Sequence, residues 1–150
     1  MRTKRGGFSL IELLATMVII SLAMVSVSTL FIGGTISVAK AKRITAATNR
    51  AQQEMERLRS AGFAGCLIDP DVFPSASGYT IVQQYSDLTG RVGFTPSDLP
   101  GATGYIDISY YDSGAGIYPN LKTVAITITW TGGKPTRGQV QLQTFIANHP

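Results

Sequence analysis

The segment Lys4-Arg5-Gly6-Gly7-Phe8-Ser9-Leu10-Ile11-Glu12-Leu13-Leu14 leads into an apolar run, and from Phe8 to Ala39 Glu12 is the only ionisable side chain. From Leu13 to Ile32, fifteen of twenty residues are apolar, the exceptions being Thr16, Ser21, Ser26, Ser28 and Thr29. Twenty such residues in a helix rising ~1.5 Å each span the ~30 Å hydrocarbon layer of a bilayer. No proline interrupts the run, and Gly33-Gly34 come late in it. The direct reading is a membrane-spanning helix at the start of the chain. Ahead of it, residues 1–7 carry Arg2, Lys4 and Arg5 and no acid. Such a leader stays in the cytoplasm, because Lys and Arg resist translocation.

Two simpler readings leave one residue without a role. A removable secretory signal would use Ser26-Val27-Ser28 as its cleavage site, and a plain membrane anchor would need no special residue at all. Neither accounts for Glu12, since an acid at the centre of a membrane helix costs ~3 kcal/mol, falling toward its ends. The pair Gly6-Gly7 gives an accessible, extended backbone just before the apolar run. Cleavage after Gly7 leaves Phe8 as a new, positively charged amino terminus. Glu12 is then the acid that pairs with such an amine on a neighbouring subunit when helices pack side by side.

With Gly7-Phe8-Ser9-Leu10-Ile11-Glu12 followed by the apolar helix, the chain resembles the type IV filament superfamily: type IV pilins, type II secretion pseudopilins and competence pseudopilins. The resemblance implies cleavage between Gly7 and Phe8 by a membrane prepilin peptidase, N-methylation of Phe8, and an assembly role for Glu12. It also implies extraction from the inner membrane, through an assembly platform, into a helical filament of pilin or pseudopilin subunits. Many major pilins place a proline near residue 29 of this numbering, where this chain has Thr29.

Beyond the span, residues 40–61 continue the helical pattern in polar style. Ile44, Thr48, Ala51, Met55 and Leu58 form one modest apolar stripe, and Gly62 is the expected stop. Charges are expected to cover the rest of the surface, with Lys40, Lys42, Arg43, Arg50, Arg57 and Arg59 against Glu54 and Glu56. This basic run reads as a solvated face with lipid-headgroup contacts just outside the bilayer. A DNA-binding role, as in a competence pilus, is the weaker reading, since no aromatics are interleaved. Residues 62–104 are rich in Gly and Pro and read as a variable connecting region broken by one strand at Tyr79–Tyr85. Residues 105–150 then supply an antiparallel sheet. Tyr105–Tyr111 alternates with Ile106, Ile108 and Tyr110 on one face, and Thr123–Trp130 sets Val124, Ile126, Ile128 and Trp130 together. After turn chemistry over 131–137, Gly138–Ile146 alternates Val140, Leu142 and Ile146 against Gln139, Gln141 and Gln143. This ending is similar to the V-type minor pilins of type IV pili and the I-type minor pseudopilins of type II secretion.

The expected fold class is therefore α+β, a long N-terminal helix packed on a small antiparallel sheet. Apolar residues at 44% against charged residues at 15% exclude a disordered chain. One Cys and one His exclude a disulfide framework and the common zinc-finger spacings. His149, near the end of the sequence, builds no Ser-His-Asp set, and Cys66 reads as a small buried or half-buried thiol. Asp87, Asp107 and Asp112 do not match the calcium-loop spacing. No enzyme, cofactor or metal is expected. The net charge of +4 divides unevenly: three cations lie in the leader and six between Lys40 and Arg59. Past residue 60, four cations face six aspartates, so the head is slightly acidic and a nucleic-acid partner is not expected. The reading is a minor pilin or pseudopilin that primes or caps a filament. It sits in the inner membrane before assembly, amino terminus cytoplasmic and head outside, in contact with membrane lipid.

Overall fold

The computed structural model describes residues 9–85, 88–131 and 137–148. One helix, α1, runs Leu10–Gly65, followed by a short 3-10 turn at Ser75–Ser77. Five strands follow: β1 (Tyr79–Gln84), β2 (Gly90–Phe94), β3 (Ala102–Asp112), β4 (Ile117–Thr131) and β5 (Arg137–Ala147). They form one antiparallel sheet in the order β1-β2-β3-β4-β5. This is the expected α+β class, a long N-terminal helix against an antiparallel sheet. The chain divides into two compact units, one through Ala41 and one from Lys42.

In the second unit the helix buries Ala47, Ala51, Glu54, Met55 and Leu58. Ala51, Met55 and Leu58 are the expected stripe, but at its start Ile44 remains 41% exposed, and Ala47 and Glu54 are buried beside it. Across from it, the alternation of β3 and β4 points Ile106, Ile108, Val124, Ile126, Ile128 and Trp130 into the core, as the sequence pattern requires. Each such side chain contributes about 1.5–3 kcal/mol relative to leaving it in water. β5 shows the expected split, with Val140 and Leu142 half-buried, Ile146 buried and Gln139, Gln141 and Gln143 exposed.

Two aromatic rings are seated over glycines across the sheet. Phe94 pairs with Gly104 and Trp130 with Gly138 in register. A Cβ added at Gly104 would overlap the Phe94 ring, and one at Gly138 would overlap the Trp130 indole. Here glycine is required by the close approach of a neighbouring ring, not by a turn.

The region 62–104 differs from its sequence reading. Besides β1 it holds β2, whose Gly90, Val92 and Phe94 are buried, and β3 begins at Ala102, before residue 105. The sequence pattern hid β2 because it has five residues, two of them glycine, and too little β-branched character to register as a strand. Gly62 (φ 69°, ψ −172°) does break helical geometry where the stop was expected, but one further turn carries α1 to Gly65. No such break occurs at Gly33-Gly34, where the helix is continuous. The turn residues 132–136 lie outside the described residues.

Candidate processing and assembly segment

The first turn of α1 is fixed by backbone bonds to Ser9: the amides of Glu12 and Leu13 both donate to its carbonyl, at 3.0 and 3.2 Å. Glu12 lies in this turn and is exposed. An acid there is favoured by the partial positive charge of the helix start. Gly7 and Phe8, the expected cleavage and methylation residues, lie outside the described residues, as do Arg2, Lys4, Arg5, Asp87 and His149.

The polar residues within the apolar run matter most for a bilayer, where every donor must be satisfied from within the helix. The structure satisfies each one. Thr16 donates to the Leu13 carbonyl (2.9 Å), Ser21 to Met17 (2.7 Å), Ser26 to Leu22 (2.9 Å), Ser28 to Met24 (2.8 Å) and Thr29 to Ser26 (2.8 Å). Thr35 and Ser37 do the same to Ile32 and Gly33. These are the i−3 and i−4 bonds open to Ser and Thr in helices. The five exceptions to apolarity therefore present no unpaired hydroxyl to lipid. Every residue from Ser9 to Val38 is exposed, large side chains such as Leu10 (78%) and Leu30 (75%) included. The helix is long and apolar enough to cross a membrane. So much exposed apolar surface requires a covering, by lipid or by other helices.

The basic residues of 40–59 separate into two groups. Arg50 and Arg57 both pair with buried Glu54, at 2.8 and 3.1 Å, and the Tyr79 hydroxyl donates to the same carboxylate at 2.8 Å. The Arg57 guanidinium also lies 4.8 Å from the Phe73 ring centroid and 5.1 Å from that of Tyr79. Arg59 donates to Thr144 on β5 at 2.7 Å. Arg50 and Arg57 are half-buried in the packing of helix on sheet, which corrects the expectation of a solvated charged face around Glu54, while Arg59 and Glu56 stay exposed. Burial, and then the bond to Glu54, push the Tyr79 phenol above its usual value. Lys40, Lys42 and Arg43 are exposed.

At the far end of α1, where the last turn contains no basic residue, β4 supplies one. Buried Lys122 donates through Nζ to the carbonyls of Phe63 (3.1 Å) and Cys66 (2.8 Å) and lies 4.5 Å from the Phe63 ring centroid. A cation at a helix carboxyl end bonds carbonyls that have no partner within the helix. Burial lowers the Lys122 pKa from its usual range. Cys66 is fully buried, its thiol donating to the Leu58 carbonyl at 3.3 Å, and burial pushes its pKa up. Asp107 is engaged by Arg91, and Asp112 accepts the Gly114 amide at 2.8 Å. The sequence left Glu54, Tyr79 and Lys122 without roles. For Glu54 a signal was present, because Arg50 and Arg57 flank it at four and three residues. For Lys122 no local signal exists, since its partners lie more than fifty residues away.

Residues 2–28 match the prokaryotic N-terminal methylation motif. No curated protein and no solved structure matches the chain. The motif supports a type IV pilin-like subunit and points to a structural protein, not an enzyme. With the apolar helix it supports a membrane-anchored pilin that is processed by prepilin peptidase and contacts other pilin subunits.

Proposed function

We propose that the chain is a minor pilin or minor pseudopilin that primes or caps a type IV pilus-like filament. A prepilin peptidase cleaves between Gly7 and Phe8, and Phe8 is then N-methylated. The subunit waits in the inner membrane with its amino terminus in the cytoplasm and its head outside. An inner-membrane assembly platform transfers it to the filament, where helix 8–39 packs among neighbouring helices. Glu12 takes the amino-terminal charge of an adjacent Phe8. The observation that carries this reading is the methylation motif over residues 2–28, continuous with a span whose hydroxyls are all bonded internally. A priming or capping task is favoured over bulk assembly by the C-terminal hairpin and by Thr29 in the place of a proline. A DNA-binding role loses three of its candidate cations, since Arg50, Arg57 and Arg59 are bonded within the head.

The test pairs two variants in the native host. Gly7→Leu leaves an unprocessed, membrane-retained precursor. Glu12→Leu is cleaved normally but enters filaments poorly. Normal maturation of the first, or unchanged incorporation of the second, refutes the corresponding role.

A further inference from the structure

We propose that the free edge of β5 accepts an extended, uncharged segment of another protein as a sixth strand of the sheet, running antiparallel to β5. Three observations carry it. First, the edge presents unused main-chain groups. β5 is the last strand of the sheet and pairs with β4. The Asn148 amide donates at 2.8 Å to the carbonyl of Asn120, which lies directly opposite when the β4–β5 register is continued by one residue. Backbone groups alternate sides along a strand. Even-numbered residues of β5 therefore turn their amides and carbonyls to β4, while Gln139, Gln141, Gln143 and Phe145 turn theirs outward. All four of these residues are exposed. Second, nothing blunts this edge. Sheet edges are normally guarded by shortness, a bulge, a charge or a proline. β5 is 11 residues long, and its register with β4 runs without a shift. From Gly138 to Ala147 it holds no ionisable side chain and no proline. The opposite edge differs, since β1 has six residues and a register shift between Ile81 and Gln83. Third, burial along β5 is incomplete. Val140 and Leu142 pack against the core yet stay only half-buried. A strand beside them would cover their remaining apolar surface.

The edge selects its occupant. A neutral strand offers no charge to nucleic acid or to lipid headgroups, and main-chain pairing requires an extended polypeptide. Its alternate side chains are apolar where they lie beside Val140 and Leu142. A second copy of this chain fits poorly. Two heads joined antiparallel through β5 are related by a two-fold axis normal to the sheet. Residues 47–58 of α1 pack along the sheet face, so in such a pair the two helices point in opposite directions. Subunits anchored in one bilayer point the same way. Only this exclusion rests on the membrane-anchored reading above; the open edge does not.

The test uses the full chain in detergent micelles and a peptide copying Thr123–Trp130, the sequence already paired with β5, carrying a short neutral polyethylene glycol tail for solubility. Residue-resolved amide hydrogen exchange is the readout. In the chain alone, the amides of residues 139, 141, 143 and 145 should exchange fast while those of 140, 142 and 144 are protected. Saturating peptide should slow the first set by about ten-fold or more and leave the second unchanged. Gln141→Pro removes one outward amide without touching the bonds to β4, and should weaken peptide binding by about ten-fold. Gln141→Lys keeps the backbone intact, places a charge on the edge and should weaken binding as well. Protection of Cys66 from maleimide reports that each variant is folded. Outward amides that stay fast with peptide, protection confined to β1, or undiminished binding by both variants overturns the inference. So do outward amides that are already slow in the chain alone and speed up on dilution, which assigns the edge to a second copy. Cleavage after Gly7 is scored separately, so failure here leaves the filament reading standing.

Discussion

Removing the Glu54 carboxylate is the sharpest test of how the helix is held to the head. Glu54 is 3% exposed and accepts from Arg50, Arg57 and the Tyr79 hydroxyl. Glu54→Ala leaves two arginines without their counter-charge and a phenol without its acceptor. Breaking a buried pair from one side costs about 3–5 kcal/mol. Arg50 and Arg57 retain 27% and 39% exposure and recover some hydration, which places the expected loss at about 3 kcal/mol. The measurement is urea unfolding of the full chain in detergent, followed by the fluorescence of Trp130, the only tryptophan, which is 6% exposed. With a urea slope of roughly 1.5 kcal/mol per molar, the midpoint falls by about 2 M. Tyr79→Phe removes one bond to a charged acceptor and should cost about 1.5–3 kcal/mol. The double variant should cost less than the two singles combined, because the hydroxyl and the carboxylate serve each other. Tyr79 also has a raised pKa, so its stabilisation is complete below 10.0 and is lost as pH rises through the folded value. In Glu54→Ala that alkaline loss shrinks, since one of its causes is gone. A loss below about 1 kcal/mol, or strictly additive variants, would refute the assignment of the cluster as the clasp between helix and sheet.

Two further expectations concern the core. Cys66 has a raised pKa through burial, so the unfolded chain releases the thiol proton first. Above pH 9.0 the wild type should therefore lose stability relative to Cys66→Ala, and equal pH profiles for the two would contradict this. Gly104→Ala drives a methyl into the Phe94 ring and should destabilise by about 1–3 kcal/mol in the same urea assay. Phe94→Leu in the Gly104→Ala background should recover part of that loss, and failure to recover any would mean the ring contact is not its cause.

What could be read from the sequence follows from the range over which each feature is encoded. The inward faces of β3, β4 and β5 were legible because a period of two repeats within each strand, and each repeat reports the same buried side. β2 was not legible. Its five residues were selected by what lies opposite: Phe94 over Gly104 on β3, and Gly90 against the backbone of Gln83 on β1. The start of the helix stripe was misread for a related reason. Ile44 is more apolar than Ala47, yet Ala47 is buried and Ile44 is not. A small residue lets the sheet approach the helix closely, and a hydropathy pattern cannot detect that preference.

The processing segment differs in kind, because its chemistry acts before any tertiary structure is needed. Under the proposed function a peptidase reads Gly7-Phe8 as a pair of consecutive residues, and a bilayer reads the next twenty residues as helix length and apolarity. In that proposal Glu12 acts through its distance from the cut. All three are properties of consecutive residues, so the sequence carries them whole. The structure adds what spacing cannot: each hydroxyl in the span is already bonded to its own helix. That leaves Glu12 as the only side chain between Leu10 and Ala39 that can form an ion pair with another molecule. A substitution that unbinds a hydroxyl should therefore disturb insertion, whereas a substitution at Glu12 should disturb only assembly. Ser21→Asn, whose larger amide cannot be satisfied by the Met17 carbonyl alone, separates the two. It should lower the membrane-inserted fraction of the chain, while Glu12→Leu leaves that fraction intact and lowers filament incorporation. Equal insertion of both variants would show that internal bonding of the span is not what admits its polar residues to the bilayer.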